Sequence, residues 1–175
     1  MARIRCFAPV EDASAKMLIL GSMPGKASLE AGQYYAHPHN AFWKIMGDLV
    51  GARPNLPYDQ RLRILKASGI ALWDVLESCV RTSSLDSHIR EDAANDFVSF
   101  FQQHPQITQV FFNGAKAEQC FKKHVQSSLA ATSLNYCRLP STSPAHAGMT
   151  YAEKLDTWRL IMQRGAAQQK AKRER

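Results

Sequence analysis

Cysteine is scarce and wrongly spaced for a metal site: Cys6, Cys79, Cys120 and Cys137 include no C-x-x-C pair. That spacing argues against zinc or an iron–sulfur cluster and for buried, reduced thiols. No apolar run approaches the roughly eighteen residues that a membrane span requires, so no membrane partner is expected. The first ten residues hold two arginines but neither a continuous apolar stretch nor a small-residue cleavage site. This is unlike a secretory signal, and a cytoplasmic protein is expected. Also missing are the lysine and hydroxyl of G-x-x-x-x-G-K-[ST] and the spacing of G-x-G-x-x-G, so no nucleotide cofactor is expected. Nothing calls for another cofactor.

What remains is an ordinary globular composition, 45% hydrophobic and 21% charged over 175 residues. That length suits one packed domain, expected over 1–163, acting as a monomer. The formal net charge of +7 fits a polyanionic partner, because lysines and arginines on phosphates release condensed counterions. However, residues 164–175 carry five basic residues against one acidic, leaving only +3 for the rest. A solvated basic tail therefore explains much of the charge as well as nucleic acid does.

Four short apolar runs read as buried strands: Met17-Leu18-Ile19-Leu20, residues 70–75, Gln109-Val110-Phe111-Phe112 and residues 135–139. Helical spacing is found at 41–49, 58–67, 91–103, 115–125 and 151–163, the last with a cap candidate at Thr150. Strands alternating with helices imply an α/β fold. The expected architecture is a three-layer α/β/α sandwich around a central, mostly parallel four-stranded sheet, with ligands beyond the carboxyl ends of the strands.

Polar, constrained loops follow three of these strands. Gly21-Ser22-Met23-Pro24-Gly25 is a tight turn that lets backbone approach a ligand closely. Asn113-Gly114 places a side-chain amide at a strand end. Leu139-Pro140-Ser141-Thr142-Ser143-Pro144-Ala145-His146 offers three hydroxyls suited to phosphate oxygens. Each is also what an ordinary loop looks like.

Together these segments resemble the uracil-DNA glycosylase superfamily. The first turn looks like its G-x-x-P-x motif, Phe112-Asn113-Gly114 like the segment with a base-reading asparagine, and 139–144 like the loop that holds DNA at the lesion. Tyr35-Ala36-His37-Pro38-His39-Asn40-Ala41-Phe42-Trp43 is similar to a segment of the mismatch-specific uracil-DNA glycosylases, where the aromatic stacks on the flipped base. In that branch the third motif position is a water-positioning asparagine, whereas Met23 stands here and cannot hold water. A branch lacking it, the hypoxanthine-DNA glycosylases, places the catalytic asparagine where Asn40 stands.

The resemblance implies a monofunctional enzyme of base excision repair acting on damaged, double-stranded DNA, with deoxyinosine the leading substrate and uracil second. Binding without cleavage and a small-molecule nucleoside hydrolase are the competing readings. It implies that Gly21, Ser22, Met23 and Pro24 frame the base, that Tyr35 or Tyr34 stacks on it, and that Asn113 reads its edge. Asn40 and His146 would serve catalysis; Ser141, Thr142, Ser143, Pro144, Ala145 and Gly148 would hold DNA. No metal is required. Local readings stand beside these: Asn40 as a helix cap, Asn113 as a turn residue, the tyrosines as a half-buried loop pair, His37 and His146 as loop hydrogen bonders.

Overall fold

All four apolar runs become strands of one sheet in the computed structural model, which describes residues 3–129 and 132–165. In chain order the elements are β1 (Arg3–Arg5), β2 (Met17–Gly21), α1 (Lys26–Ala31), α2 (Phe42–Val50), α3 (Tyr58–Ala67), β3 (Ile70–Asp74) and β4 (Leu76–Val80). They continue with β5 (Arg90–Ala94), α4 (Phe97–Gln103), β6 (Gln109–Asn113), α5 (Ala115–His124), β7 (Asn135–Leu139) and α6 (Tyr151–Trp158). The main sheet runs β3-β2-β6-β7, and each neighbouring pair is parallel.

Side-chain alternation along these strands builds the three layers. Leu18 and Leu20 of β2 join a core with Phe97, Phe100 and Phe121 from α4 and α5. Met17 and Ile19 point the other way, into a core with Phe42 and Met46 of α2, Leu65 of α3 and Trp158 of α6. Each such buried side chain contributes about 1.5–3 kcal/mol. Thr150 caps α6 in a reciprocal capping box with Glu153, as its position suggests.

Two expectations need correction. The helix expected over 91–103 begins only at Phe97, because Asp96 accepts the backbone N–H of Ser99 and sets the start there. Residues Arg90–Ala94 instead pair antiparallel with β4, which pairs antiparallel with β1 in a second, three-stranded sheet. In addition, Val75 leaves its strand: its N–H donates to Gly21 O and the chain turns into β4. Arg164 and Gly165 are still helical, while 166–175, most of the expected basic tail, lie outside the described residues.

The chain leaves β2 through α1–α3 on one face to reach β3, and leaves β6 through α5 on the other face to reach β7. Connections that diverge in this way open a crevice at the carboxyl ends of β2 and β6.

Candidate active site

A cleft of about 540 Å3 occupies that crevice, a size typical of sites for small ligands. Residues 21–28, 84–87 and 141–146 wall it, together with Tyr35, Asn40, Asp74 and Asn113. Gly21, Ser22, Met23 and Pro24 are all buried along its floor, and Ser22 Oγ donates to Asp86 Oδ1 at 2.6 Å. Met23 packs into the core at 7% exposure, which suits a wall and not a water site.

Gly21 is required where it stands. A Cβ there would come within 2.5 Å of Asp74 Oδ1 and 3.0 Å of Tyr35 Oη. The absent side chain thus lets two polar groups from separate elements approach the first turn closely.

The structure separates the adjacent tyrosines. Tyr35 adopts a left-handed backbone, φ 53°, a conformation that costs energy for a bulky residue and is common at functional sites. Its ring stacks on Phe42 with centroids 4.1 Å apart, leaving the cleft side for a ligand. Tyr34 also borders the cleft but is mainly a core residue: it is 4% exposed, packs edge-on against Phe7 and donates its hydroxyl to Ala8 O.

The N-cap of α2 is Ala41, so the local reading of Asn40 as that cap is corrected. Asn40 stands one residue earlier, and its Oδ1 accepts the N–H of Phe42 at 3.0 Å, at the start of α2, which sets which amide atom is oxygen. Its Nδ2 forms no hydrogen bond among the described residues, and Asn40 is one of the residues that line the cleft.

Thr142, expected at the DNA, borders the cleft but is only 1% exposed; it accepts from Asn113 Nδ2 and donates its backbone N–H to Asn113 Oδ1. Ser141 and Ser143 accept backbone N–H groups from Ser143 and Ala145 at 3.2 Å, stiffening the loop with its own side chains. Pro144, Ala145 and His146 stand exposed at the rim. His146 is held from behind, its carbonyl accepting Lys154 Nζ at 2.7 Å. Gly148, expected at the DNA, does not line the cleft.

Sequence reasoning missed Asp74, the 84–87 wall, Lys26 and Lys116. Asp74 had a visible signal, an acid ending a buried strand; the 84–87 wall had none, since it depends on the second sheet. Asp74 is 3% exposed and its Oδ2 has no partner. Burial first, then the negative charge of Asp86, pushes its carboxyl up to about 7, against the opposing pull of Arg81. Burial, then Asp74, also raises the Tyr35 hydroxyl, against an opposing pull from the nearby Asn113, although no hydrogen bond of normal geometry reaches the buried oxygen. Near the rim, Ala115 and Lys116 begin α5, which no side chain caps; free N–H groups and a cation there suit a phosphate.

Residues 8–163 match the model of the uracil DNA glycosylase superfamily. The chain belongs to that superfamily. It is 38% identical over 112 residues to a hypoxanthine DNA glycosylase of Methanosarcina barkeri (strain Fusaro / DSM 804), covering 63% of this chain and 71% of that one. The hypoxanthine DNA glycosylase of Methanosarcina acetivorans is 38% identical over 114 residues, covering 65% and 72%. The fold matches the solution NMR structure of a candidate uracil DNA glycosylase from M. acetivorans, with a TM-score of 0.75 and 31% identity over 92% of this chain and 99% of that one. This superfamily member is thus a DNA glycosylase, an enzyme that hydrolyses N-glycosyl bonds. Among its described residues no helix is long and apolar enough to cross a membrane, and no three His, Cys, Asp or Glu side chains gather as a metal would need.

Proposed function

We propose that this glycosylase excises hypoxanthine from deoxyinosine-containing double-stranded DNA, with uracil as a second substrate, as a cytoplasmic monomer whose catalytic domain is 1–163. The observation that carries the reading is Asn40, a cleft-lining residue whose oxygen is tied to α2 and whose amide donors form no hydrogen bond among the described residues, in a cleft whose first turn carries Met23, which has no polar group. The names of the two Methanosarcina relatives agree with it.

Breaking the glycosidic bond builds positive charge on the sugar and negative charge on the base. Extruding the nucleotide costs a few kcal/mol, least where pairing is already weak, which favours deaminated bases. Tyr35, backed by Phe42, stacks on the extruded ring, a contact worth about 1–3 kcal/mol. Asn113 reads the base edge: one donor and one lone pair remain after its bonds to Thr142. That pair complements the carbonyl and adjacent N–H shared by uracil and hypoxanthine. The Asn40 donors face the same ligand and stabilise the charge that the base gains as it leaves. Ser141, Ser143, Pro144, Ala145 and His146 lie against the DNA backbone.

Labelled duplexes carrying I·T, I·C, U·G or only normal pairs, treated with enzyme and then alkali, test this. Scission at inosine fastest, uracil next and normal bases not at all is expected, with affinity falling steeply with salt. No scission at enzyme excess on any duplex would sink the reading.

A further inference from the structure

Asp74 ends β3 on the floor of the cleft, yet nothing proposed above uses it. It has no salt-bridge partner among the described residues, and one carboxyl oxygen is buried without a hydrogen bond. An ionised carboxylate left so would be held at high cost, whereas a neutral acid is tolerated and becomes a donor. Its other oxygen, Oδ1, lies over Gly21 of the first turn, the glycine that Tyr35 Oη also approaches. A cleft-lining carboxyl with one oxygen buried and unpartnered lacks that partner among the described residues, and the ligand is the group left to supply it.

We propose that Asp74 is the acid of this active site, entering the reaction protonated and passing its proton to the departing base. The inference rests on the glycosylase reading above. As the C1′–N bond breaks, its electron pair stays with the base and the Asp74 proton moves to a base nitrogen or carbonyl oxygen. The base leaves neutral. Water adds to C1′ of the oxocarbenium ion and loses a proton, which restores the Asp74 carboxyl, so the sum is hydrolysis. The groups around Asp74 keep it charged or neutral in a definable balance. Asp86, from the turn after β4, raises its proton affinity and Arg81 lowers it. Tyr34, Tyr35 and Cys6, near it from two other segments, are pushed up chiefly by burial and further by its charge, and stay neutral near pH 7.

The test is the pH dependence of the single-turnover rate, on whichever deaminated base the wild-type enzyme excises fastest. If that base is uracil, the hypoxanthine assignment fails while Asp74 is still tested. For the wild type the rate is expected to fall about tenfold per pH unit above neutrality. Asp74→Asn keeps size and a donor but has no proton to give. Its rate is expected to drop roughly tenfold or more near pH 6, with the alkaline fall abolished. The loss should be much smaller on 5-fluorouracil, whose anion departs with little help, than on uracil. Asp86→Asn removes a charge that, after burial, helps to keep Asp74 protonated, so the alkaline fall should begin at lower pH. An Asp74→Asn enzyme that retains the alkaline fall, or loses equally on 5-fluorouracil and uracil, overturns the proposal. Thermal unfolding and binding to an uncleavable 2′-fluoro duplex check that this variant folds. If it does not, the Asp86→Asn profile decides: an unmoved limb counts against the proposal, a shifted one for it.

Discussion

Asn113 and Thr142 hold each other through two hydrogen bonds of 2.9 Å, from Asn113 Nδ2 to Thr142 Oγ1 and from Thr142 N–H to Asn113 Oδ1. Asn113 ends β6 and Thr142 lies in the loop after β7, so the pair locks the base-reading amide to the DNA-facing loop. The backbone donor fixes the amide's orientation, and half of its hydrogen-bonding capacity stays open to the cleft. Asn113→Asp removes the donor side, so excision of both uracil and inosine should fall roughly tenfold or more. Thr142→Val loosens the clamp and should raise KM with kcat less affected. Steady-state kinetics on both duplexes separate the two effects.

Asn40 combines an acceptor for the first N–H of α2 with amide donors that have no partner among the described residues, and two substitutions split them. Asn40→Ala loses both, and should lose about 1 kcal/mol of stability as well as roughly tenfold or more in single-turnover rate. Asn40→Asp keeps the acceptor for Phe42 N–H and should hold its stability while losing the rate. A fully active Asn40→Asp enzyme would leave Asn40 with the structural role alone.

Asp74 makes the fold sensitive to pH in a defined direction. Its carboxyl moves from an ordinary 3.8 to about 7 on folding, so the folded state binds the proton more tightly. The stability contributed by this one group is fully present below about pH 4, falls as pH rises towards 7 and is lost beyond, a change on the order of 4 kcal/mol. Asp74→Asn should therefore raise the Tm at about pH 8 and flatten its pH dependence. Denaturation followed across that range checks the sign.

Tyr35 carries a hydroxyl without a partner and a ring with one face backed by Phe42. Tyr35→Phe keeps the stack and drops a buried unsatisfied oxygen, so affinity for uncleavable lesion DNA should change little. Tyr35→Ala removes the stack, and that affinity should fall by about 1–3 kcal/mol. Equal losses in both variants would place the contribution in the hydroxyl instead.

Gly21→Ala tests the close approach directly. A methyl group 2.5 Å from Asp74 Oδ1 must displace the carboxyl, so excision should fall sharply even where the protein folds. The readout is rate against unfolding temperature, with stability changing by about 1–3 kcal/mol.

Much of this molecule was legible along the chain. The apolar runs at Met17, Ile70 and Gln109 specify buried strands, because alternating faces that are both apolar have no stable place except inside a sheet, whereas the run at Asn135, with exposed Asn135 and Arg138, forms the edge strand β7 and is buried only at Leu139. Glycine, proline and asparagine after those runs mark the turns, and Thr150 with Glu153 marks a helix start. These signals are local, carried by residues a few positions apart. What the sequence left open depends on partners far away in it. Arg90–Ala94 reads as helix until β4 lies beside it; Tyr34 and Tyr35 are equivalent until one packs on Phe7 and the other on Phe42; Thr142 is one hydroxyl among three until Asn113 reaches it. Asp74 is an ordinary acid until burial and Asp86 raise its proton affinity. Propensity and periodicity are properties of a segment, whereas burial, hydrogen-bond satisfaction and proton affinity belong to what the rest of the chain folds over it.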